Sequence, residues 1–322
     1  MSGRANVEND SDAAPAEGIP TEKRGGAGRE WAAATLLFGL TVASVWWVGR
    51  DFWGSGWGLA VPLMAILLAH EAGHYVAARL HGESPSPPYF LPLPKYNPFG
   101  TLGAVLLLDD RTRSRNALID IGAAGPIAGL VVAVAVMAWG LTQSPVDPLP
   151  ASGYTMEGQS LLYWALKRAV VGPIPAGCDV TMHPAVGAAW AGFYVTFLNL
   201  LPVGQLDGGH VACALWGRHH ARVARSVLAL PAVLAGYNLI VFGLPMITKG
   251  QLLGPGGRWA TLVSAVTPWI ALQVLLLVMM GWVGTDHPPT QPEPPSTARR
   301  ILGWVTLGFC ALLFTPSPWV VY

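Results

Sequence analysis

Seven stretches of the chain are apolar for long enough to cross the roughly 30 Å of hydrocarbon in a bilayer. They run approximately over residues 31–48, 57–80, 117–141, 186–206, 223–247, 259–283 and 301–321. Each reads as a helix, because lipid offers no partner to an open backbone donor or acceptor. The pattern predicts an all-α polytopic membrane protein of about seven transmembrane helices. Two connecting segments depart from it. Residues 85–115 contain Pro87-Pro88-Tyr89-Phe90-Leu91-Pro92, then Asn97-Pro98-Phe99-Gly100-Thr101-Leu102-Gly103-Ala104-Val105. Their glycines and β-branched residues predict a short β-strand or hairpin. Such a strand at membrane depth must be covered by protein or line a cavity. Within the other segment, residues 142–185, the stretch 159–171 mixes an apolar and a basic face, which suits an interfacial helix and a short surface helix equally.

Composition agrees with a membrane-embedded chain: 52% of the 322 residues are hydrophobic and only 11% are charged. The net charge of +1 points to no nucleic-acid partner. Where the charges lie says more. If the N-terminus is cytoplasmic, fourteen of the 19 Lys and Arg residues fall on cytoplasmic segments, among them Arg79, Arg115, Arg222, Arg225, Arg299 and Arg300. That asymmetry sets orientation in short loops. Trp31, Trp57, Trp259 and Trp304 lie near span ends and read as interface anchors. Residues 1–30 lack an apolar core and read as a disordered cytoplasmic tail without the character of a signal or transit peptide. The proline-rich residues 284–300 read as a linker to a last helix in 301–322. A bacterial plasma (inner) membrane is the expected address.

The chemistry lies in two polar clusters. His70-Glu71-Ala72-Gly73-His74 falls inside the second apolar stretch. Residues four apart on a helix differ by about 40° and about 6 Å, so both imidazoles can face one ion. In metalloproteases with this pattern the histidines bind zinc and the glutamate handles the proton of the attacking water. The alternative is that these groups only bond to neighbouring helices. The second cluster, Asn199-Leu-Leu-Pro202-Val-Gly-Gln-Leu-Asp207-Gly-Gly-His210, closes the fourth stretch. Pro202 and the glycines predict a helix break, and the orientation puts Asp207 on the same side as His70 and His74. Asp207 is then the natural third ligand of an open zinc site, or else a cap on a following helix. The three cysteines, Cys178, Cys213 and Cys310, are far apart and indicate neither disulfides nor a thiolate site. His219 and His220, among arginines, read as part of a solvated cytoplasmic face, and His210 as a helix-terminal histidine.

Together H-E-x-x-H and N-x-x-P-x-x-x-L-D-G resemble the paired signatures of the site-2 protease family of intramembrane zinc metalloproteases. The likeness covers residues 57–216, the core of a membrane domain expected over 31–283, and includes Asp120-Ile-Gly-Ala-Ala-Gly125-Pro126-Ile-Ala-Gly129, similar to the small-residue span packed between that family's motif helices. Chains of this compact kind, without PDZ or CBS domains, are similar to the plant plastid members. The resemblance implies one zinc per chain on His70, His74 and Asp207, with Glu71 as general base and then acid. It implies that Asn199 steadies the substrate backbone and that the strand segment Phe99, Gly100, Thr101, Leu102 and Gly103 pairs with an unwound substrate. The expected function is hydrolysis of peptide bonds within or near transmembrane segments of other proteins or peptides, at a site open to the cytoplasm. A catalytically silent metal-stabilised scaffold and a metal transporter are the competing readings. The intact Glu71 argues against the first, and few polar residues in the fifth and sixth stretches argue against the second.

Overall fold

The computed structural model describes residues 26–94, 97–107, 114–150, 154–245, 263, 266–274, 276–278 and 293–321. Among these, four helices are long and apolar enough to cross a membrane. They are α1 (Ala27–Phe52), α2 (Gly56–Leu80), α3 (Arg115–Thr142) and a composite helix over His220–Gly243. α1 begins before residue 31, inside the expected tail, the rest of which lies outside the described residues. Of the sixth expected span about half is described, as helical residues over 266–274 and 276–278, and of the proline-rich linker the residues from 293 on.

α1 and α2 form a hairpin closed by Ser55, whose hydroxyl caps α2 by accepting from the Gly58 amide at 3.1 Å. Strands β1 (Tyr89–Pro92) and β2 (Thr101–Val105) then pair antiparallel, Tyr89 opposite Val105 and Pro92 opposite Thr101. The predicted hairpin is present, and it runs back along α1. Phe90 packs edge-on against Phe38 at 5.2 Å, and Ser44 donates from Oγ to the Gly100 carbonyl at 2.6 Å. At Gly100 φ is +74°, and a Cβ there would stand 2.8 Å from the Ser44 carbonyl oxygen. Only glycine meets both demands. The turn is held by Asn97, whose Oδ1 accepts from the Phe99 and Gly100 amides.

α3 lies against α2, α5 (Pro184–Asn199) and α6 (Asp207–Trp216). Between α3 and α5 the chain forms short strands β3 (Val146–Pro148), β4 (Thr155–Glu157) and β5 (Cys178–Val180) around the helix α4 (Leu161–Val170), where an interfacial or short surface helix was expected. Lys167 of α4, buried, bridges Asp179 and Glu157 at 2.5 and 3.6 Å. α7 (His220–Leu228) and α8 (Leu230–Asn238) follow α6 and run into a wider turn over Leu239–Gly243.

The last helix, α9 (Thr297–Leu313), packs on α3, α5 and α6. It starts inside the expected linker and stops well short of residue 321, because the chain after Leu313 turns to form β6 (Trp319–Val321), paired with β4. The fourth apolar stretch is likewise shorter than expected. α5 ends at Asn199, seven residues before 206, since Pro202 has no amide to continue it and the turns over 200–206 replace the helix. The main core lies between α3, α5, α8, α9 and the helical residues 266–274 and 276–278, with Met137, Phe197, Trp269 and Leu313 almost fully buried.

Candidate metal centre

The α5–α6 break gives the second cluster its shape. Gly204 has φ +53°, a Cβ on Gly208 would fall 2.0 Å from the Leu200 carbonyl oxygen, and one on Gly209 would fall 2.3 Å from that of Gly204. The chain folds back on itself this tightly only with glycine at those places. The result is that α6 starts at Asp207, aimed at the middle of α2.

There the side chains converge. His70 and His74 lie one turn apart on α2, both buried, with their Nε2 atoms 3.1 Å apart. Asp207 Oδ2 is 3.2 Å from His70 Nε2, and its Oδ1 is 3.2 Å from His74 Nε2. Three donors bound to a tetrahedral zinc at about 2.0–2.1 Å stand roughly 3.3–3.4 Å from one another. The two histidine nitrogens stand near that edge, and each carboxylate oxygen of Asp207 faces one of them; with one donor atom per residue, all three lie within 4.8 Å of one another. His74 Nδ1 lies 2.8 Å from the Ile121 carbonyl oxygen of α3. A carbonyl only accepts, so Nδ1 carries the proton and the Nε2 lone pair is left to face Asp207. Asn199 Nδ2 approaches His70 Nε2 at 3.3 Å. Glu71, also buried, sits between the two histidines in sequence. Two imidazoles and a carboxylate fit zinc as an open, three-ligand donor set. Among the described residues this is the cluster of His, Asp, Glu or Cys side chains that could hold a metal ion.

The wall behind the cluster is a stripe of glycines. A Cβ on Gly125 of α3 would lie 2.0 Å from His74 Nε2, one on Gly129 3.0 Å from His70 Cβ, and one on Gly73 of α2 2.4 Å from the Ala124 carbonyl oxygen. The small-residue span with Gly125 and Gly129, whose spacing suits close helix approach, also makes the space in which the imidazoles sit.

Residues 58–236 match the model of peptidase family M50. The chain belongs to this family. Relatives of this M50 chain include "Probable zinc metalloprotease EGY2, chloroplastic" of Oryza sativa subsp. indica, 32% identical over 57% of this chain and 34% of that protein. The Arabidopsis thaliana protein of the same name is 29% identical over 71% of this chain and 41% of its own length. "Probable zinc metalloprotease EGY1, chloroplastic" of Arabidopsis thaliana is 35% identical over 50% and 30%. The chain thus spans between about a third and two fifths of the length of these relatives. No solved structure gives a significant match. The resemblance to the site-2 protease family and the expectation of zinc hold.

The expected site residues divide into two groups. His70, His74, Asp207 and Asn199 come together from α2, α6 and the end of α5. The hairpin residues do not join them by any hydrogen bond among the described residues. Phe99 and Gly100 are in the turn rather than in a strand, the Phe99 ring stacked with Trp53, Trp190 and Trp319 at 6.0, 5.9 and 6.3 Å. Thr101 is buried and bonds within the hairpin, while Leu102 is exposed. His220, expected on a solvated face, is 2% exposed and packed inside α7. The Ile121 carbonyl could not be foreseen, because a backbone atom leaves no mark in sequence. The glycine wall left one, in the spacing of Gly125 and Gly129.

Proposed function

We propose that this M50 protein is a zinc-dependent intramembrane endopeptidase acting on peptide bonds within or near the membrane-spanning segments of other proteins. The observation that carries the reading is the meeting of His70, His74 and Asp207 beside Glu71, on a helix long enough to cross a membrane. Zinc on these three groups supplies a Lewis acid for the scissile carbonyl and a water acidic enough to attack it. Glu71 takes the proton of that water and passes it to the leaving amine. Asn199, with its amide beside His70, steadies the substrate backbone.

A helical substrate keeps its carbonyls bonded internally and must unwind before attack. Among the described residues β2 pairs with β1 alone, and Leu102 and Val105 are 55% and 44% exposed. An unwound segment pairing along that edge would offset its lost helical bonds. The cytoplasmic orientation rests on the asymmetry of Lys and Arg, and we take the membrane to be a bacterial plasma membrane. The experiment is to reconstitute the protein with a single-span reporter. Glu71→Gln should keep its zinc and lose cleavage, and cleavage by that variant would overturn the assignment.

A further inference from the structure

Beside the α5–α6 break lies a groove of about 500 Å³, lined by Leu200, Pro202, Trp216, Trp304, Ala311 and Phe314 among others. Its lining is apolar throughout. Along α9 it extends from Trp304 to Phe314, ten residues or about 15 Å of helix rise. That is half the roughly 30 Å of hydrocarbon in a bilayer, too short for a spanning helix of about 20 residues and the depth of one leaflet.

One end of the groove is marked by tryptophans. Trp216 and Trp304 pair there at 5.8 Å, the kind of aromatic pair that settles at the level of lipid headgroups. Arg300 precedes Trp304 by one turn and so shares its face of α9. It is exposed and makes no ion pair with a described residue, unlike Arg299 beside it, whose Nε donates to Asp120 Oδ2 at 2.8 Å. Arg300 also stands in the first turn of α9, where the helix dipole favours an anion. An apolar slot one leaflet deep with an exposed guanidinium one turn beyond its Trp304 end suits a phospholipid with an anionic headgroup.

We infer that this groove holds one anionic phospholipid, its acyl chain along α9 and its phosphate at Arg300. The opposite wall of the groove, Leu200 to Pro202, begins the connection that carries Asn199 at one end and Asp207 at the other. The lipid therefore braces the loop on which two residues of the metal centre are mounted.

Native mass spectrometry of the full chain, released from nanodiscs of phosphatidylglycerol or of phosphatidylcholine with identical acyl chains, tests this. The parent should retain one phosphatidylglycerol in preference to phosphatidylcholine by about fivefold, the share expected of one basic residue near the headgroups. Arg300→Gln should remove the preference, and Ala311→Trp, which fills the slot, should remove retention of both lipids. Val305→Trp, on another exposed face of α9, should change neither. Zinc content and circular dichroism check that each variant is folded. Equal retention of the two lipids by the parent, or a preference that survives Arg300→Gln, would overturn the inference and leave only ordinary surrounding lipid. Because the readout is bound lipid, it is independent of whether the protein cleaves anything.

Discussion

Gly125→Ala is the smallest change that tests the metal centre from outside it. The added methyl carbon would start 2.0 Å from His74 Nε2, where ordinary contact begins at 3.4 Å. About 1.4 Å must be recovered, because repulsion at such range is prohibitive beside a dispersion contact of about 0.1–0.2 kcal/mol. The helices cannot recover it by parting. Parting them would break the bond that ties His74 Nδ1 to the Ile121 carbonyl at 2.8 Å. The imidazole itself must swing away, several times farther than the roughly 0.2 Å a zinc ligand tolerates. Disturbing a supporting contact costs about 10–100-fold in metal affinity, and displacing a ligand belongs at the upper end. We expect zinc to bind about 100-fold more weakly, or about 2.7 kcal/mol, with helix content unchanged. Competition against a graded series of chelators, followed by metal analysis, measures it. Gly129→Ala, with its nearest contact at 3.0 Å on His70 Cβ, should lose less, and Gly308→Ala, with nothing within 4 Å, should lose nothing. A Gly125→Ala protein that holds zinc within threefold of the parent would refute the geometry.

Asp207→Ala should abolish stoichiometric zinc although α2 is untouched, and a full complement of metal in that variant would separate the two clusters. Lys167→Met leaves Asp179 and Glu157 without their cation in a buried place and should destabilise the β4–α4–β5 region by about 3 kcal/mol, read as faster local proteolysis. Tyr163, fully buried and donating to Glu157 at 2.7 Å, has its phenol pKa raised by burial first and by the Glu157 charge second. The folded protein then keeps a proton that the unfolded chain gives up near pH 10, so the stability this group supplies is present below about pH 10 and falls as pH rises beyond it. In Tyr163→Phe the alkaline loss should be shallower by that amount, and an identical pH slope would argue against it. Trp319→Ala removes one of three aromatic neighbours of Phe99, each contact worth about 0.5–1.5 kcal/mol, and should speed amide exchange over residues 97–105. Unchanged exchange there would mean that Trp53 and Trp190 hold the turn alone.

The sequence by itself determined the membrane class, the two polar clusters and the family. Each of these rests on local chemistry: apolar runs must be helical in lipid, histidines four apart share a face, and proline with glycines ends a helix. It also carried the hairpin, through the glycines and β-branched residues of 97–105. Tertiary structure decided the rest. That Asp207 reaches both imidazoles depends on how sharply the chain turns between Asn199 and Asp207, which follows from glycine backbones packed on carbonyls rather than from any periodicity. The end of the last helix at Leu313 was hidden because an apolar run does not show where it leaves the helix to pair with a distant strand. Phe99 reads as a strand residue by composition and is a turn residue in space, since Trp53, Trp190 and Trp319 reach it from three remote parts of the chain. His220 is buried among charged neighbours because burial depends on which face of α7 meets the core. Spacing fixes what one helix presents. What meets it is set by contacts between segments far apart in sequence, and those are made by shape.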